Sequence, residues 1–564
     1  MRILLLAHAF NSLTQRLWCV LGERGHVVSL ELDISDQVTR EAVALHAPEL
    51  IIAPFLKRAI PPDVCGSVPC LIVHPGIPGD RGPATLDWAI LERQATWGVT
   101  VIEATEEFDA GPVWASAYFA MREATKASLY RDEVASAATA AVLAALERRD
   151  RGEKPFGSGT AGDAARGRWH PPCTQADRRI DWQVDDTATI LRQLRAADSS
   201  PGVRDRVAGV PAFLYDAHAG PAVPGAAPGA WLCREQQALL RATTDASVWI
   251  GHARRDASDA FKLPALLACP EAAALPAAST LGKAVLASAP EPIGYREQGA
   301  VGFLRFDFYN GAMSTADCRR LLAALEAAAA RPTRVLVLEG GTDFWSNGIH
   351  LNIIEAADSA ADESWRNIEA IDDIAEQLLR LSDKLTIAAL CGNAGAGGAF
   401  LALAADRVWV RPEVVLNLHY RNMGNLYGSE FWTYTLARRV GEAAGGIIGA
   451  RLPLLGRQAV ALGLADAAFG ADATAFGAEV AQRAEALAGE GFAALLSARL
   501  ESRAADEARQ SLAAYRAAEL AQMRLSFYGF DTSYHVARHR FVHKAPHSWT
   551  PRHLARHRWA VGAR

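Results

Sequence analysis

Three features are missing from this 564-residue sequence, and each absence excludes a class of protein. The eight cysteines are spread singly and form no CxxC pair, which argues against a zinc ribbon and a dense disulfide framework. No stretch of 18 uncharged apolar residues occurs, so no transmembrane helix is predicted. The net charge of −5 provides no basic excess for general nucleic-acid binding. These absences predict a cytoplasmic protein in a reducing compartment, with neither a membrane nor nucleic acid as a partner.

The first part of the chain alternates short apolar runs with helical stretches, a rhythm typical of βαβ units. Strands are predicted at Ile3–Leu6, 49–53 and Leu71–His74, with a helix over Thr14–Arg24. The apolar start is interpreted as a strand rather than a secretion signal, because no small-residue cleavage site follows it. A Rossmann-like α/β domain with a parallel sheet is therefore predicted over residues 1–165.

The rest of the chain divides by composition into three further parts. Short segments with Gly and Pro punctuation, among them VPAFLYDA and VWIGH, predict a small OB-like β-barrel over 170–260, reached through a connection at Gly152–His170. The Ala- and Pro-rich stretch 261–293 is predicted to be a linker, and partial helix is the alternative left open there. A second α/β domain is predicted over 294–564, ending in Ala-rich helices and a basic tail. That tail, His535–Arg564, has seven Arg or Lys residues and no acidic residue.

Two motifs in the first domain mark a candidate site. HPGIPGDRGPATLDWAIL, at His74–Leu91, follows a buried strand, and open parallel sheets bind ligands at the carboxyl ends of their strands. FDAGPVW, at Phe108–Trp114, places Asp109 before a Gly-Pro turn. A positioned imidazole can stabilise the oxyanion of a tetrahedral intermediate, and a carboxylate can relay its proton. The pair therefore suits acyl transfer.

In this order the two motifs resemble the folate-dependent formyltransferases, such as methionyl-tRNA formyltransferase, over about the first 255 residues. The resemblance implies that His74 polarises a formyl carbonyl, that Asp109 transfers a proton, and that 10-formyltetrahydrofolate is the donor. Arg81 is a weaker candidate, because an Arg before Gly can simply brace the loop. The family carries an Asn two residues before the His, whereas this chain has Ile72, so one contribution to the oxyanion site is missing.

Two glycine-rich loops mark a second candidate site, one in Arg334–Asn352 (RVLVLEGGTDFWSNGIHLN) and one in Lys384–Val410 (KLTIAALCGNAGAGGAFLALAADRVWV). Neither loop matches a phosphate-binding glycine motif. Backbone N–H groups exposed by such loops can hold a thioester oxygen as it becomes negative. The pair resembles the crotonase (enoyl-CoA hydratase/isomerase) family over about Gly294–Gln510. This implies a crotonase fold in the second half, with oxyanion-hole amides at Ile349 and Gly397.

The acid–base residues of this second site depart from the family. Hydratases carry two catalytic Glu residues where this chain has Phe400 and about Tyr420, so ordinary hydration is not predicted. Tyr420 and Glu430 are the residues predicted to carry the chemistry, with His419 and His350 behind them. For Glu430, a stabilising charge at a helix N-terminus is an equally good interpretation.

The histidines of the basic tail recur four residues apart, and three of them are His535, His539 and His543. That spacing invites a metal interpretation, but interleaved cations raise the cost of a bound metal, so no metal is predicted. A basic helix, solvated or binding coenzyme A phosphates, is predicted instead. Arg538 and Arg540, with Arg131 in SLYRDEV, are the predicted coenzyme A contacts.

A formyltransferase-like half followed by a crotonase-like half resembles the HypX/HoxX family of hydrogenase maturation factors, over almost the whole chain. Runs such as APFLKRAIP, ESWRNIEAIDDI and GNAGAGGAF carry this match. The resemblance implies formyl transfer from 10-formyltetrahydrofolate to coenzyme A, followed by decomposition of formyl-CoA to carbon monoxide and coenzyme A. It also implies the hydrogenase maturation machinery as a partner. Two alternatives stay open: an amine formyltransferase fused to an unrelated acyl-CoA enzyme, and a non-catalytic hydrogenase assembly scaffold.

Overall fold

The computed structural model describes residues 1–156 and 167–559 and divides the chain into two compact units. The first unit comprises Met1–Pro290 together with His547–Arg564, and the second comprises Glu291–Pro546. All eight cysteines are free thiols, as their scattered positions predicted. Within the described ranges, no helix combines the length and apolar character needed to cross a membrane.

The first unit begins with a six-stranded sheet in the order β2-β1-β3-β4-β5-β6. Its strands are β1 (Arg2–Ala7), β2 (Val27–Leu32), β3 (Leu50–Phe55), β4 (Cys70–His74), β5 (Thr96–Glu103) and β6 (Val113–Ala120). The first four are parallel, but β5 pairs antiparallel with both β4 and β6. The predicted parallel sheet is therefore a mixed one, because alternating apolar runs do not encode strand direction.

Six α-helices accompany this sheet: α1 (Ser12–Glu23), α2 (Asp36–His46), α3 (Pro62–Ser67), α4 (Thr85–Leu91), α5 (Lys126–Leu129) and α6 (Ala135–Asp150). The first shows why such segments form helices where they do. Asn11 accepts the backbone N–H of Thr14 and so caps the start of α1. Its apolar residues recur every three or four positions, and Leu13, Leu17 and Leu21 are buried.

The second part of the first unit is an antiparallel sheet in the order β7-β8-β11-β10-β9. Its elements are α7 (Thr187–Ala197), β7 (Val203–Val207), β8 (Val210–Gly220), β9 (Trp231–Glu235), β10 (Ala238–Ala242), β11 (Ser247–Arg255) and β12 (Leu263–Pro264), which pairs with β11. Buried side chains of α7 and of these strands share one hydrophobic cluster. This all-β region occupies the stretch where the short, Gly-punctuated segments predicted one. The predicted connection Gly152–His170 and the boundary at 165 fall largely on residues 157–166, outside the described residues.

The stretch predicted as a linker, 261–293, is structured instead. It contains β12 and the short helices α8 (Ala265–Ala268) and α9 (Lys283–Ala287). Ala265 and Cys269 are buried in the cluster beneath the antiparallel sheet, and Val285 is buried in a neighbouring one. A high content of Ala and Pro is typical of a linker. Small side chains also permit close packing, however, and this segment packs against the sheet.

The second unit contains two sheets, ordered β13-β14-β15-β17-β19-β22 and β16-β18-β20-β21. The strands are β13 (Ile293–Gln298), β14 (Val301–Phe306), β15 (Val335–Glu339), β16 (Phe344–Ser346), β17 (Leu385–Leu390), β18 (Asn393–Gly395), β19 (Arg407–Val410), β20 (Val415–Asn417), β21 (Leu454–Leu455) and β22 (Ala467–Ala468). These strands and the helices between them confirm that this part of the chain is a second α/β domain, as the sequence predicted. The helices are α10 (Thr315–Ala329), α11 (Leu351–Ala356), α12 (Ala360–Arg380), α13 (Gly397–Leu403), α14 (Trp432–Val440), α15 (Ala444–Ala450), α16 (Gly456–Ala461), α17 (Ala473–Leu487), α18 (Phe492–Arg509), α19 (Leu512–Tyr528) and α20 (Ser533–Val542).

The last described residues, 547–559, belong to the first unit, although the sequence assigned the whole tail to the second domain. They cover β2, the edge strand of the six-stranded sheet, where the Leu30 N–H donates to the Leu554 carbonyl at 3.0 Å. Glu31 of β2 is buried and accepts from His557 at 3.0 Å and from Arg558 at 2.8 Å. An uncovered edge strand can pair with another chain and aggregate. The tail covers β2 and supplies the partners of Glu31.

Removing this buried carboxylate should destabilise the first unit. Glu31→Gln removes the buried carboxylate that accepts from His557 and Arg558, so the free energy of unfolding should fall by about 3 kcal/mol. Hydrogen exchange of the β2 amides, or urea unfolding, measures the loss. Glu147→Gln is the matched control, because the ion pair between Glu147 and Arg24 is exposed. Such a pair should contribute less than about 1 kcal/mol to the free energy of unfolding. Equal effects of the two substitutions would contradict this account.

Candidate active sites

The first candidate site is a small pocket at the end of β4 that is open to solvent. His74, the last residue of β4, lines it together with Asp80, Arg81 and Asp109. The buried imidazole lies between two carboxylates: His74 Nε2 is 3.1 Å from Asp80 Oδ2, and His74 Nδ1 is 3.4 Å from Asp109 Oδ1. The structure thus brings the two predicted catalytic residues together in one cavity.

The two carboxylates control the charge of the imidazole. Burial alone would lower the pKa of His74, but the bonds to Asp109 and Asp80 outweigh it and raise that pKa to about 9. Burial would raise the pKa of Asp109, yet the hydrogen bond to His74 prevails and lowers it. At neutral pH the pocket therefore holds an imidazolium, which can stabilise negative charge on a carbonyl oxygen. The partly exposed Asp109 carboxylate can accept a proton.

Two residues of the His74 cluster were missed by the sequence analysis: Asp80, which contacts His74, and His170, which contacts Asp80. Asp80 is buried and also contacts His170, whose Nδ1 lies 3.1 Å from Asp80 Oδ1. Asp80 stands in the quoted loop motif, and its spacing from His74 was the available signal. His170 carried no signal, because it comes from a distant part of the chain. Arg81 pairs with Glu107 on the exposed rim, in keeping with a bracing role.

The second candidate site lies where the two glycine-rich loops meet in the second unit. A β-carbon on Gly348 would stand 3.2 Å from Gly397 N, so the loop before Ile349 touches the first turn of α13. Gly348 has a positive φ of 76°, which also favours glycine. Among the described residues, neither the Ile349 nor the Gly397 amide donates a hydrogen bond. The loop that carries Ile349 therefore lies against the segment that carries Gly397, and the pairing of their amides as oxyanion donors stays a prediction.

Glu430 and Tyr420 complete this second site. The Tyr420 hydroxyl donates to Glu430, and Phe400 stacks on the Tyr420 ring at 5.0 Å. A β-carbon on Gly397 would stand 2.1 Å from Glu430 Oε1, so the carboxyl lies directly against that backbone. Burial, and then the neighbouring Asp372, raise the pKa of Glu430 well above its usual range. Burial likewise raises the pKa of Tyr420. Acid–base groups thus face the predicted oxyanion hole.

Glu430 and Phe431 are two consecutive residues in the left-handed region, with φ of 60° and 58°. Neither is glycine, so the conformation is strained and needs support. Asp372 accepts the Glu430 N–H at 2.7 Å, and Glu519 accepts the Phe431 N–H at 2.9 Å. Burial raises the pKa of Asp372 to about 7 and that of Glu519 to about 8. Two buried carboxyl groups therefore hold the backbone that aims Glu430.

Asp372 and Glu519 were not predicted from the sequence. Asp372 lies in the quoted run ESWRNIEAIDDI next to Asp373, and nothing in the sequence separates a buried aspartate from its half-exposed neighbour. Glu430 precedes α14, but the N-cap residue of that helix is Phe431, so Glu430 does not cap the helix. The interpretation of Glu430 as only a helix-end charge is thus less favoured than a buried acid–base role.

The remaining predicted residues lie apart from these two clusters or have structural partners. His350 accepts the Ile353 N–H and caps α11, and His419 is buried. Arg538 is buried and donates to Glu355 at 2.7 Å, so a phosphate contact there would require breaking that pair. Arg540 is exposed and donates to the Pro546 carbonyl. Arg131 lies in a π-helical turn at Tyr130–Val134 of the first unit, and its binding role stays a prediction.

The charge on His74 should be visible in its titration. Because its pKa is raised from 6.5 to about 9, the imidazolium stabilises the fold fully below pH 6.5, and this contribution is lost as pH rises through 9. The ring NMR signals should titrate near pH 9, and Asp80→Asn should lower that midpoint. Glu107→Gln, on the exposed rim, is the control and should leave it unchanged. A midpoint near 6.5 in the unaltered chain would show that Asp80 and Asp109 do not hold His74 in its charged form.

The strained segment at Glu430 should loosen when its anchor is removed. Asp372→Ala deletes the acceptor of the Glu430 N–H and of the Ser429 hydroxyl, at a cost of about 2 kcal/mol. Hydrogen exchange of the Ser429–Thr433 amides should accelerate, while Asp373→Ala, which removes a half-exposed partner of Arg516, should not accelerate it. Indistinguishable exchange in the two variants would show that Asp372 does not hold this backbone.

Comparisons with known proteins agree with this two-part arrangement. Residues 31–146 match the formyl transferase family, 172–268 match the formyl transferase C-terminal domain, and 301–552 match the enoyl-CoA hydratase/isomerase family. The first part is also similar to the methionyl-tRNA formyltransferase of Desulfotalea psychrophila, with 29% identity over 36% of this chain and 62% of the relative. The fold predicted for each half is confirmed.

Two relatives match the chain along nearly its whole length. It is 54% identical to the hydrogenase maturation factor HoxX of Bradyrhizobium diazoefficiens, over 99% of this chain and 97% of that protein. It is 46% identical to HypX of Aquifex aeolicus, whose crystal structure with tetrahydrofolic acid covers 99% of both chains with a TM-score of 0.93. The chain therefore belongs to the HypX/HoxX family of hydrogenase maturation factors.

Proposed function

We propose that the chain makes carbon monoxide for the active site of nickel–iron hydrogenase in two steps. The first unit transfers a formyl group from 10-formyltetrahydrofolate to the thiol of coenzyme A. The second unit splits the resulting formyl-CoA into carbon monoxide and coenzyme A. The relative crystallised with tetrahydrofolic acid supports folate as the donor. The enoyl-CoA hydratase/isomerase match supports a coenzyme A thioester in the second unit.

The first step is formyl transfer to sulfur in the His74 pocket. The coenzyme A thiol attacks the formyl carbon, its proton passes to a base, and the bond from that carbon to the folate nitrogen breaks. The ionised Asp109 takes the thiol proton and returns it to the folate nitrogen as that bond breaks, so that tetrahydrofolate leaves as a neutral amine, while the His74 imidazolium stabilises the oxyanion. A thiol is a better nucleophile than an amine, which suits a site with Ile72 in place of the family's Asn.

The second step breaks the carbon–sulfur bond of formyl-CoA without water. The thioester oxygen accepts from the Ile349 and Gly397 amides, sulfur leaves with the bonding electrons, and the formyl proton ends on that sulfur. Carbon monoxide and the free thiol are thus the two products, and no oxidant or reductant is needed. We assign this proton transfer to the Glu430–Tyr420 pair, and the raised pKa of the buried Glu430 carboxyl supports that role.

The observation that carries this proposal is the Glu430 carboxyl packed on Gly397, bonded to Tyr420, which in turn stacks on Phe400. Adding water to a double bond needs two carboxylates at the hydratase positions, and Phe400 occupies one of them. A site with predicted oxyanion donors and the buried Glu430–Tyr420 pair suits cleavage of a thioester without hydration. The hydrogenase maturation machinery as a partner, and a cytoplasmic location, follow from the family and the sequence as further parts of this proposal.

The two steps should separate in variants of the full chain. With 10-formyltetrahydrofolate and coenzyme A, the unaltered chain should release carbon monoxide, detected by binding to reduced haemoglobin. Glu430→Gln should accumulate formyl-CoA and lose carbon monoxide, whereas His74→Asn should form neither. A fall of at least about a hundredfold is expected for each step, in line with loss of a general acid–base group.

The exposed Glu442→Gln and His218→Ala are matched controls and should retain both products. If formyl groups pass to an amine and never to coenzyme A, the chain is an amine formyltransferase with an unrelated second activity. If hydrogenase matures normally with both His74→Asn and Glu430→Gln, the chain acts as a scaffold. Either result would overturn the proposal.

A further inference from the structure

A third cluster of chemically active side chains lies between α11 and α20 of the second unit, apart from both candidate sites. Glu355 of α11, His539 of α20 and His543, which follows α20, each offer one ligand atom, and these atoms lie within 4.8 Å of one another. Glu355 Oε1 is 2.7 Å from His539 Nδ1 and 3.4 Å from His543 Nε2. Donor atoms around a tetrahedral zinc ion stand about 3.3 Å apart, so small movements would suffice for coordination.

The two histidines are arranged by the helix that carries them. Residues four apart share one helical face, and the His539 and His543 rings lie with centroids 4.1 Å apart. The Glu355 side chain is 11% exposed and that of His539 60% exposed. The cluster is therefore closed on the carboxylate side and open to solvent on the other. An ion could enter and keep water as a further ligand, as in three-ligand zinc sites.

The cations interleaved with these histidines were the sequence argument against a metal, but the structure gives each of these cations a partner of its own. Arg538 Nε donates to Glu355 Oε2 at 2.7 Å, the oxygen that the histidines do not share. Hydrogen bonds to the second oxygen of a ligating carboxylate are the usual support of a metal ligand. Arg540 donates to the Pro546 carbonyl, and Lys544 lies over the Phe541 ring at 4.4 Å.

We propose that Glu355, His539 and His543 bind one late first-row divalent cation. Imidazole and carboxylate donors select zinc, nickel, cobalt or copper over calcium and magnesium. The ion would tie α20 to α11, which begins two residues after Ile349, and so would fasten the segment that follows the predicted oxyanion loop. This inference rests on the cluster alone and does not depend on the proposed function.

The test uses the full chain, stripped of metal with a chelator and titrated with zinc chloride by equilibrium dialysis. One zinc ion per chain should bind, and the double variant His539→Ala/His543→Ala should bind it at least about tenfold more weakly. Glu355→Gln should also weaken binding while still accepting from Arg538, so it answers the question if the double variant fails to fold. His218→Ala, a histidine paired with Asp216, is the matched control and should bind zinc normally.

Cobalt substitution identifies the ligands independently of affinity. A site of two imidazoles and one carboxylate should give cobalt d–d absorption without the thiolate-to-cobalt charge-transfer band. A thiolate band would assign the ion to cysteines and overturn the proposal. Absence of zinc binding, or unchanged affinity in both the double variant and Glu355→Gln, would overturn it as well.

Discussion

The carboxyl group of Glu430 lies against the backbone of Gly397. Any residue other than glycine at position 397 would place its β-carbon too close to that carboxyl group. This contact places a proton carrier beside a backbone amide that can hold a negative oxygen, and the chemistry proposed for the second unit depends on it. The carboxyl is buried, and burial of an ionisable group is costly unless the group is neutral or well bonded. Its raised pKa and its bond with Tyr420 meet both conditions.

The backbone around Glu430 shows what this placement requires. Two successive residues adopt a left-handed conformation that side chains disfavour, and two further carboxyl groups, Asp372 and Glu519, bond to their amides. Strain of this kind persists only where the surroundings over-determine it, and it is concentrated at functional sites. In addition to burial, the neighbouring Asp372 raises the pKa of both Glu430 and Glu519 through like-charge repulsion. The site is therefore built to keep protons rather than charge.

The first unit applies the same physical principles with the opposite result. There one buried imidazole lies between Asp80 and Asp109, and their attraction outweighs burial, so His74 stays charged at neutral pH. A charged group suits the transfer of a formyl group through an oxyanion, whereas a neutral acid suits the passage of a single proton. One chain thus carries two environments with opposite effects: one stabilises a charged imidazolium and the other a neutral carboxylic acid.

Much of this arrangement could be predicted from the sequence, and the limits have physical causes. Local motifs located His74, Asp109 and the two glycine loops, because strand–loop–helix patterns and glycine positions are local properties. Strand direction in the first sheet and the fold of 261–293 were mispredicted, since both depend on long-range packing. His170, Asp372 and Glu519 were missed because their roles arise only from contacts with residues far away in the sequence.

The packing of 547–559 on β2 was missed for the same reason. The sequence of a basic tail does not indicate which carboxylate the tail will bind. Glu31 on the first edge strand and the partners of the tail are separated by more than five hundred residues. Such distant pairings set which segments belong to one unit.

The account is tested most directly by supplying formyl-CoA to the full chain in the absence of folate and identifying where the formyl carbon goes. Release of carbon monoxide with free coenzyme A is the predicted result, because the second unit alone should complete the cleavage. Hydrolysis to formate, or survival of the thioester, would contradict it.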